Sequence, residues 1–274
     1  MTRIGPVTVG ASRVSDVDLA LALLRSPFGQ VDTSNAYGAG RSETVLGEAL
    51  RSSPVAVRVF SKADADPVTG VFDGDRVKRS FEESVTRLGV DRLPIYHLHD
   101  PYTITLAEAA APGGAIEALV GLRDQGLVDA IGIAAGPLDL VEAYMRTGAF
   151  DALLTHNRYT LVDRGAADLI AAAKARGMLV FNAAPFGGGL LAGSARAAGR
   201  YAYRPAAPEV LAQVDRLAAL CREWSVPLPA AALHFSLASP DIDSTVVGVS
   251  SRSQLADLEA LVSHPIPDGF LAAL

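Results

Sequence analysis

VAVRVFSK at 55–62, GDRVKRSFEESVTRLG at 74–89 and PIYHLH at 94–99 carry the reading of the fold. The outer two are short apolar runs rich in Val, Ile, Phe and Tyr, of the length and composition of buried strands. In the segment between them, Val77, Phe81, Val85 and Leu88 recur at helical spacing with charged residues opposite, the pattern of a helix that covers a core with one face. Two apolar strands joined through such a helix predict a parallel pair.

The alternation continues in both directions. Upstream lie TVGA at 8–11, within MTRIGPVTVG as a first short strand, and QVDT at 30–33. Downstream lie AIGIAA at 130–135, ALLTHN at 152–157, MLVFNAA at 178–184 and STVVGV at 244–249. Helical patterns separate them, among them AADLIAAAKARG, closed by Gly177 at its C-terminus. Eight strand-and-helix repeats predict an α/β fold that closes as a (β/α)8 TIM barrel, with an open doubly wound sheet as the alternative. Such a barrel uses the whole chain, 1–274, as a single domain, and the Pro, Gly and Ala-rich stretches near 111–115 and 193–208 read as loops.

Half of the 274 residues are hydrophobic and a fifth are charged, which supports a sizeable core and excludes a disordered, fibrous or disulfide-stapled chain. The net charge is −6, and the 24 Lys and Arg are scattered, so no nucleic acid or membrane partner is expected. Cys221, within LAALCREW, cannot form an internal disulfide and reads as a small buried side chain in a reducing, cytoplasmic setting. No signal segment opens the chain, and the uncharged segment Gly177 to Ala195 is broken by Asn182, Pro185 and Gly187 to Gly189, so it reads as a buried strand entering a loop. Oligomeric state leaves no mark.

Chemistry in such a barrel sits at the C-terminal ends of the strands. Here the second strand ends in Asp32 with Tyr37 five residues on, the third in Lys62, the fourth in His99 and the sixth in His156 and Asn157. Converging at one rim, these would form a proton-transfer site, in which Lys62 beside Tyr37 favours the phenolate and lowers the tyrosine pKa from about 10.

The stretch VDTSNAYGAGRSETVLGEAL, with Asp32, Tyr37, Gly38, Ser42, Glu43, Leu46 and Gly47, resembles the signature of the aldo-keto reductase family. The resemblance continues through FSK at Lys62, HLHDP at His99, AIGIAAG at Gly132, NRYTLVDR at 157–164 and APFGGGLLAG at 184–193. Within the family the chain is most similar to the aldose-dehydrogenase-like branch, which includes D-threo-aldose and L-galactose dehydrogenases. The resemblance implies Tyr37 as general acid or base, Lys62 as the group that tunes it, Asp32 as the partner of Lys62, and His99 as the group that orients the substrate oxygen. It further implies NADP or NAD as cofactor, a small carbonyl or sugar substrate, and no metal.

The resemblance places the dinucleotide across the ends of the later strands. The candidate residues there are His156, Asn157, Pro185, Phe186, Gly187, Gly189, Gly248, Ser250, Ser251, Arg252 and Gln254, with Gly187 to Gly189 letting backbone approach the pyrophosphate. This half departs from the family's pattern. Ala134 and Ala135 stand where Ser-Asn is common, His156 where a Gln is usual, Ala183 where a Tyr stacks on the nicotinamide, and Ser250 where an Arg often meets the 2′-phosphate. Phe186 or Arg252 would compensate. Ser251 and Gln254 also fit a helix capping box.

Three other readings exist. A regulatory barrel would bind nucleotide without efficient catalysis. A metal-dependent hydrolase would use His97 and His99, on one side of their strand, with Asp32, Asp100 and His156 as further ligands. A Schiff-base lyase would use Lys62 as the nucleophile.

Overall fold

The computed structural model describes residues 4–53 and 56–274, with backbone alone for Arg196; Val55 and residues 1–3 of the stretches read above lie outside it. Among the described residues ten strands form: β1 (Val7–Gly10), β2 (Gln30–Asp32), β3 (Arg58–Ala63), β4 (Leu93–His99), β5 (Val128–Ala134), β6 (Ala152–His156), β7 (Leu179–Ala183), β8 (Arg200–Tyr201), β9 (Arg204–Pro205) and β10 (Ser244–Gly248). Eight of them close a parallel barrel in the order β1-β10-β7-β6-β5-β4-β3-β2, ringed by helices. This is the (β/α)8 barrel that the alternation of strands and helices predicts. The remaining two, β8 and β9, are an antiparallel pair in the loop after β7.

Between β3 and β4 the chain forms the helix Gly74–Leu88. Asp73 caps its start by accepting a hydrogen bond from the Arg76 amide, and Gly89, at φ 70°, ends it in the left-handed region. Val77, Phe81 and Leu88 are buried against the barrel, each worth about 1.5–3 kcal/mol of transfer free energy. The preceding helix, Arg41–Ser52, approaches so closely that Gly47 lies directly against the backbone at Arg87 and Leu88.

Successive strand side chains alternate between lumen and helix layer. The lumen holds Phe60, Ile95, Ala134, Ala152, Leu154, Phe181 and Val246 as one apolar layer. Beneath it, Gln30 donates to Thr8, Ser244 and the carbonyls of Gly5 and Val7, a buried polar plug whose hydrogen bonds are made. Two residues beyond Phe60 the same alternation puts Lys62 in the lumen, and beyond Ile95 it puts His97 and then His99. The apolar layer is thus the floor on which the polar residues stand.

Candidate active site

The four residues singled out at the ends of β2, β3 and β4 meet at one mouth of the barrel. Lys62 is 1% exposed; its Nζ lies 2.6 Å from Asp32 Oδ2, 2.6 Å from the Thr33 carbonyl oxygen and 3.3 Å from Tyr37 Oη. The ammonium also stands 4.6 Å from the centre of the Tyr37 ring. Tyr37 meets His99 edge to face, ring centres 5.7 Å apart.

Burial opposes the charge on Lys62, but Asp32 and Tyr37 outweigh it and hold the lysine pKa above its ordinary value. Tyr37 moves against the expectation from sequence. Burial pushes its phenol above the usual value of about 10; Lys62 pulls it down, yet Asp32 and Asp64 add to the upward push. The phenol therefore keeps its proton, because desolvation exceeds the effect of one ammonium already paired with a carboxylate.

The loop that carries Tyr37 is held by β3 and by the helix behind it. Thr33 and Asn35 donate their amides to the carbonyls of Phe60 and Lys62 at 2.9 and 3.3 Å. The Asn35 side chain donates to the Ser80 carbonyl and accepts from Arg76 at 3.0 Å. Ser42 donates to the Ala11 carbonyl, while Glu43, fully buried, accepts from Ser61 at 2.6 Å and from Arg87 at 3.1 Å. These two residues of the quoted string act as ties between helix and strands, and Gly47 permits the close approach noted above.

His99 has a partner that sequence reading missed. Asp64, just past the end of β3, places Oδ1 2.7 Å from His99 Nδ1, and its other oxygen accepts from the Ala36 amide and the Ser34 hydroxyl. Burial raises the Asp64 pKa, but the His99 hydrogen bond and charge, with Ser34 and Ala36, bring it below the ordinary carboxylate value. On the other side of the ring, His99 Nε2 is 3.7 Å from Asp100 Oδ2.

His97 is one layer below, 1% exposed, with Nδ1 unpartnered, its ring over Gly132 and edge-on to Phe181. Burial first, then Lys62 and His99, hold it well below the usual imidazole pKa. Among the described residues no group of three or more His, Cys, Asp or Glu is arranged around a common metal position.

A groove of about 720 Å³ opens between the ends of β7 and β10. Pro185, Phe186, Gly188, Gly189, Gly248, Ser250 and Gln254 line it, together with Ser12, Arg13 and Tyr203, which sequence reading did not single out. A neighbouring cavity of about 680 Å³ shares Arg13, Gly188, Ser250 and Gln254 and adds Arg200. Gln254 accepts from the Ser250 amide at 2.7 Å, and its own amide donates to Ser251 Oγ at 3.2 Å. The cap is one-sided, because the glutamine side chain reaches Ser250 and not the amide of the capping Ser251 itself.

Five of the sequence candidates, His156, Asn157, Gly187, Ser251 and Arg252, do not line these cavities. Arg252 donates to the Asp18 carbonyl at 3.2 Å. Gly187, at φ 58°, lies under the Tyr201 ring, where any Cβ would collide with it. Tyr201 Oη donates to the Asn157 carbonyl at 2.7 Å and pairs with Thr160 Oγ1 at 2.9 Å. His156 and Asn157 stand together at the end of β6, Asn157 Nδ2 being 3.0 Å from His156 Nδ1. Burial lowers the His156 pKa. Asn157 has φ 59° and is buried with Oδ1 unpartnered. Ala134 and Ala135 are buried and offer no polar side chain.

The profile of the Aldo/keto reductase family matches residues 11–274. The chain is 35% identical over 270 residues to D-threo-aldose 1-dehydrogenase from a Pseudomonas species, covering 89% of this chain and 82% of that protein. It is 31% identical over 278 residues to L-galactose dehydrogenase from Arabidopsis thaliana, covering 96% and 85%. In fold it is similar to the holo form of the aldo-keto reductase AKR11C1 from Bacillus halodurans, with a TM-score of 0.77, 21% identity and coverage of 98% and 90%.

Proposed function

The chain belongs to the aldo/keto reductase family, and from that premise we propose that it is an NAD(P)-dependent oxidoreductase acting between a nicotinamide cofactor and the carbonyl or sugar hydroxyl of a small molecule. The observation that carries this reading is the convergence of Asp32, Tyr37, Lys62 and His99 at one mouth of the barrel. Tyr37 is the proton donor in reduction and the acceptor in oxidation. Lys62, charged through its pairing with Asp32, stabilises negative charge on the phenol oxygen as the proton leaves. His99 hydrogen-bonds the substrate oxygen and sets its orientation.

The chain's residues fit the cofactor. Asn157 Oδ1 is a buried acceptor without a partner, suited to the amide N–H of a carboxamide. Gly188 and Gly189, both at positive φ, line the groove without side chains, and Arg13 there supplies positive charge. When bound, the nicotinamide supplies or accepts the hydride. The names of two relatives, an aldose and a galactose dehydrogenase, support a sugar as substrate.

Tyr37→Phe tests the assignment. NADPH and NADH are titrated by fluorescence, then hydride transfer to a panel of aldehydes and sugars is followed in single turnover. The variant is expected to keep cofactor affinity and lose hydride transfer by at least about a hundredfold, as for removal of a general acid; turnover at the wild-type rate overturns the role. A second reading, a nucleotide-binding regulatory barrel, draws on Ala134, Ala135 and Ala183 where the family's usual nicotinamide contacts are polar or aromatic. Tight binding by the wild-type protein without hydride transfer supports that reading instead.

A further inference from the structure

We propose that Asp64 is a positioning residue that fixes the protonation pattern of His99, taking the hydrogen on Nδ1 and so leaving Nε2 as the nitrogen that meets the substrate oxygen. The inference deepens the function just proposed and rests on it.

Two groups stand against Nδ1: Asp64 Oδ1 at 2.7 Å and Ser34 Oγ at 3.2 Å. An ionised carboxylate only accepts, and the single hydroxyl proton of Ser34 is donated to the other oxygen of Asp64. Both neighbours therefore face Nδ1 as acceptors, and the hydrogen belongs on that nitrogen. Asp64 is itself anchored on every side. Its side chain accepts from the Ala36 amide at 2.9 Å, its own amide donates to Ser80 Oγ at 3.2 Å, and its carbonyl accepts from Arg76 Nε at 2.9 Å. A carboxylate held this way keeps the imidazole ring in place without reorganising during turnover.

Among the described residues the opposite nitrogen has no hydrogen-bond partner. Asp100 Oδ2, at 3.7 Å from Nε2, is beyond hydrogen-bond distance. The other ionisable groups that face His99 are Tyr37 from the loop after β2, Lys62 from β3, His97 from its own strand and His156 from β6. With Nδ1 held by Asp64, Nε2 is the nitrogen turned toward the substrate oxygen, and the single proton of a substrate hydroxyl stays available to Tyr37 in oxidation. In its protonated form the imidazole donates to a substrate carbonyl in reduction. In both directions one nitrogen faces the substrate and one faces the carboxylate.

The test is nitrogen-15 NMR of histidine in the full-length, ligand-free protein, read alongside kinetics. In the wild type at a pH where His99 is neutral, the hydrogen is expected on Nδ1; a wild-type His99 protonated on Nε2 with Nδ1 bare overturns the proposal without any variant. In Asp64→Ala and Asp64→Asn the Nδ1 preference is expected to disappear, while the His97 and His156 signals report an intact barrel. For aldehyde reduction, kcat/KM in Asp64→Asn is expected to fall by about ten- to a hundredfold, the range seen when the partner orienting a functional histidine is removed. Cofactor affinity should be unchanged. An unaltered tautomer with an unaltered kcat/KM in the variants also overturns it. The NMR result requires no turnover, so it stands apart from the Tyr37→Phe experiment, which judges the proposed function.

Discussion

His97 is a buried imidazole with no partner at Nδ1, and its pKa lies well below the ordinary value. The unfolded chain binds a proton at this residue near pH 6.5 that the folded chain does not. Stability therefore rises with pH between the folded and unfolded pKa values and falls as the solution is acidified below about 6.5, by about 1.4 kcal/mol per pH unit for one such histidine. His156 acts with the same sign. Urea unfolding between pH 7 and pH 5 is expected to show this slope, and His97→Gln should make it shallower; an unchanged slope contradicts the assignment. The cluster of Asp32, Tyr37, Lys62 and His99 was legible in sequence because Asp32, Lys62 and His99 each close an apolar run, where a barrel places its chemistry. Asp64 was not, because SKADAD reads as a finished strand followed by polar loop residues, and only the closure of β3 against β4 brings it to His99. The direction of the Tyr37 shift was hidden for a related reason: the balance between burial and the Lys62 charge depends on how deeply the loop is seated.

At the scale of elements, the approach of Arg41–Ser52 to Gly74–Leu88 depends on the missing side chain at Gly47. A methyl group there would strike the Arg87 carbonyl and come within 2.9 Å of Leu88 Cα. Alanine is the better helix former by about 1 kcal/mol, yet overpacking a fixed backbone contact costs about 1–3 kcal/mol. Gly47→Ala is expected to lower the unfolding free energy by about 1–2 kcal/mol in denaturant titration; a stabilised variant would show that the two helices can separate freely. The eight barrel strands and the Gly74–Leu88 helix followed from apolar periodicity, although β3 is narrower than its quoted run and begins at Arg58. The β8–β9 pair escaped notice because two residues carry no period and Pro205 cannot donate to a ladder. The loop containing it lacked distinctive chemistry in sequence, yet Tyr201 from that pair reaches Thr160 and the Asn157 carbonyl.

Over the whole molecule, charge is distributed unevenly around the mouth. Lys62 is neutralised by Asp32, whereas Asp64 and Asp100 flank His99; the cations Arg13 and Arg200 lie in the cavities beyond β7 and β10. A substrate bearing its own carboxylate therefore meets repulsion where it must react, on a chain of net charge −6. Among aldehydes of equal size, a carboxylated one is expected to have a kcat/KM lower by about three- to tenfold than an uncharged one at low salt, with the gap narrowing as ionic strength rises. Asp100→Asn should narrow it as well. A preference for the carboxylated aldehyde would contradict this electrostatic account.

Val7 pairs with Thr245 and Gly10 with Gly248, so the cylinder is sealed by its earliest and latest strands. Arg13 follows the first of these and Ser250 and Gln254 follow the second. On the ribosome, then, the nascent chain cannot form this groove until its final barrel strand has emerged. Once that strand is home, the dinucleotide proposed above would act as a clasp across the seam.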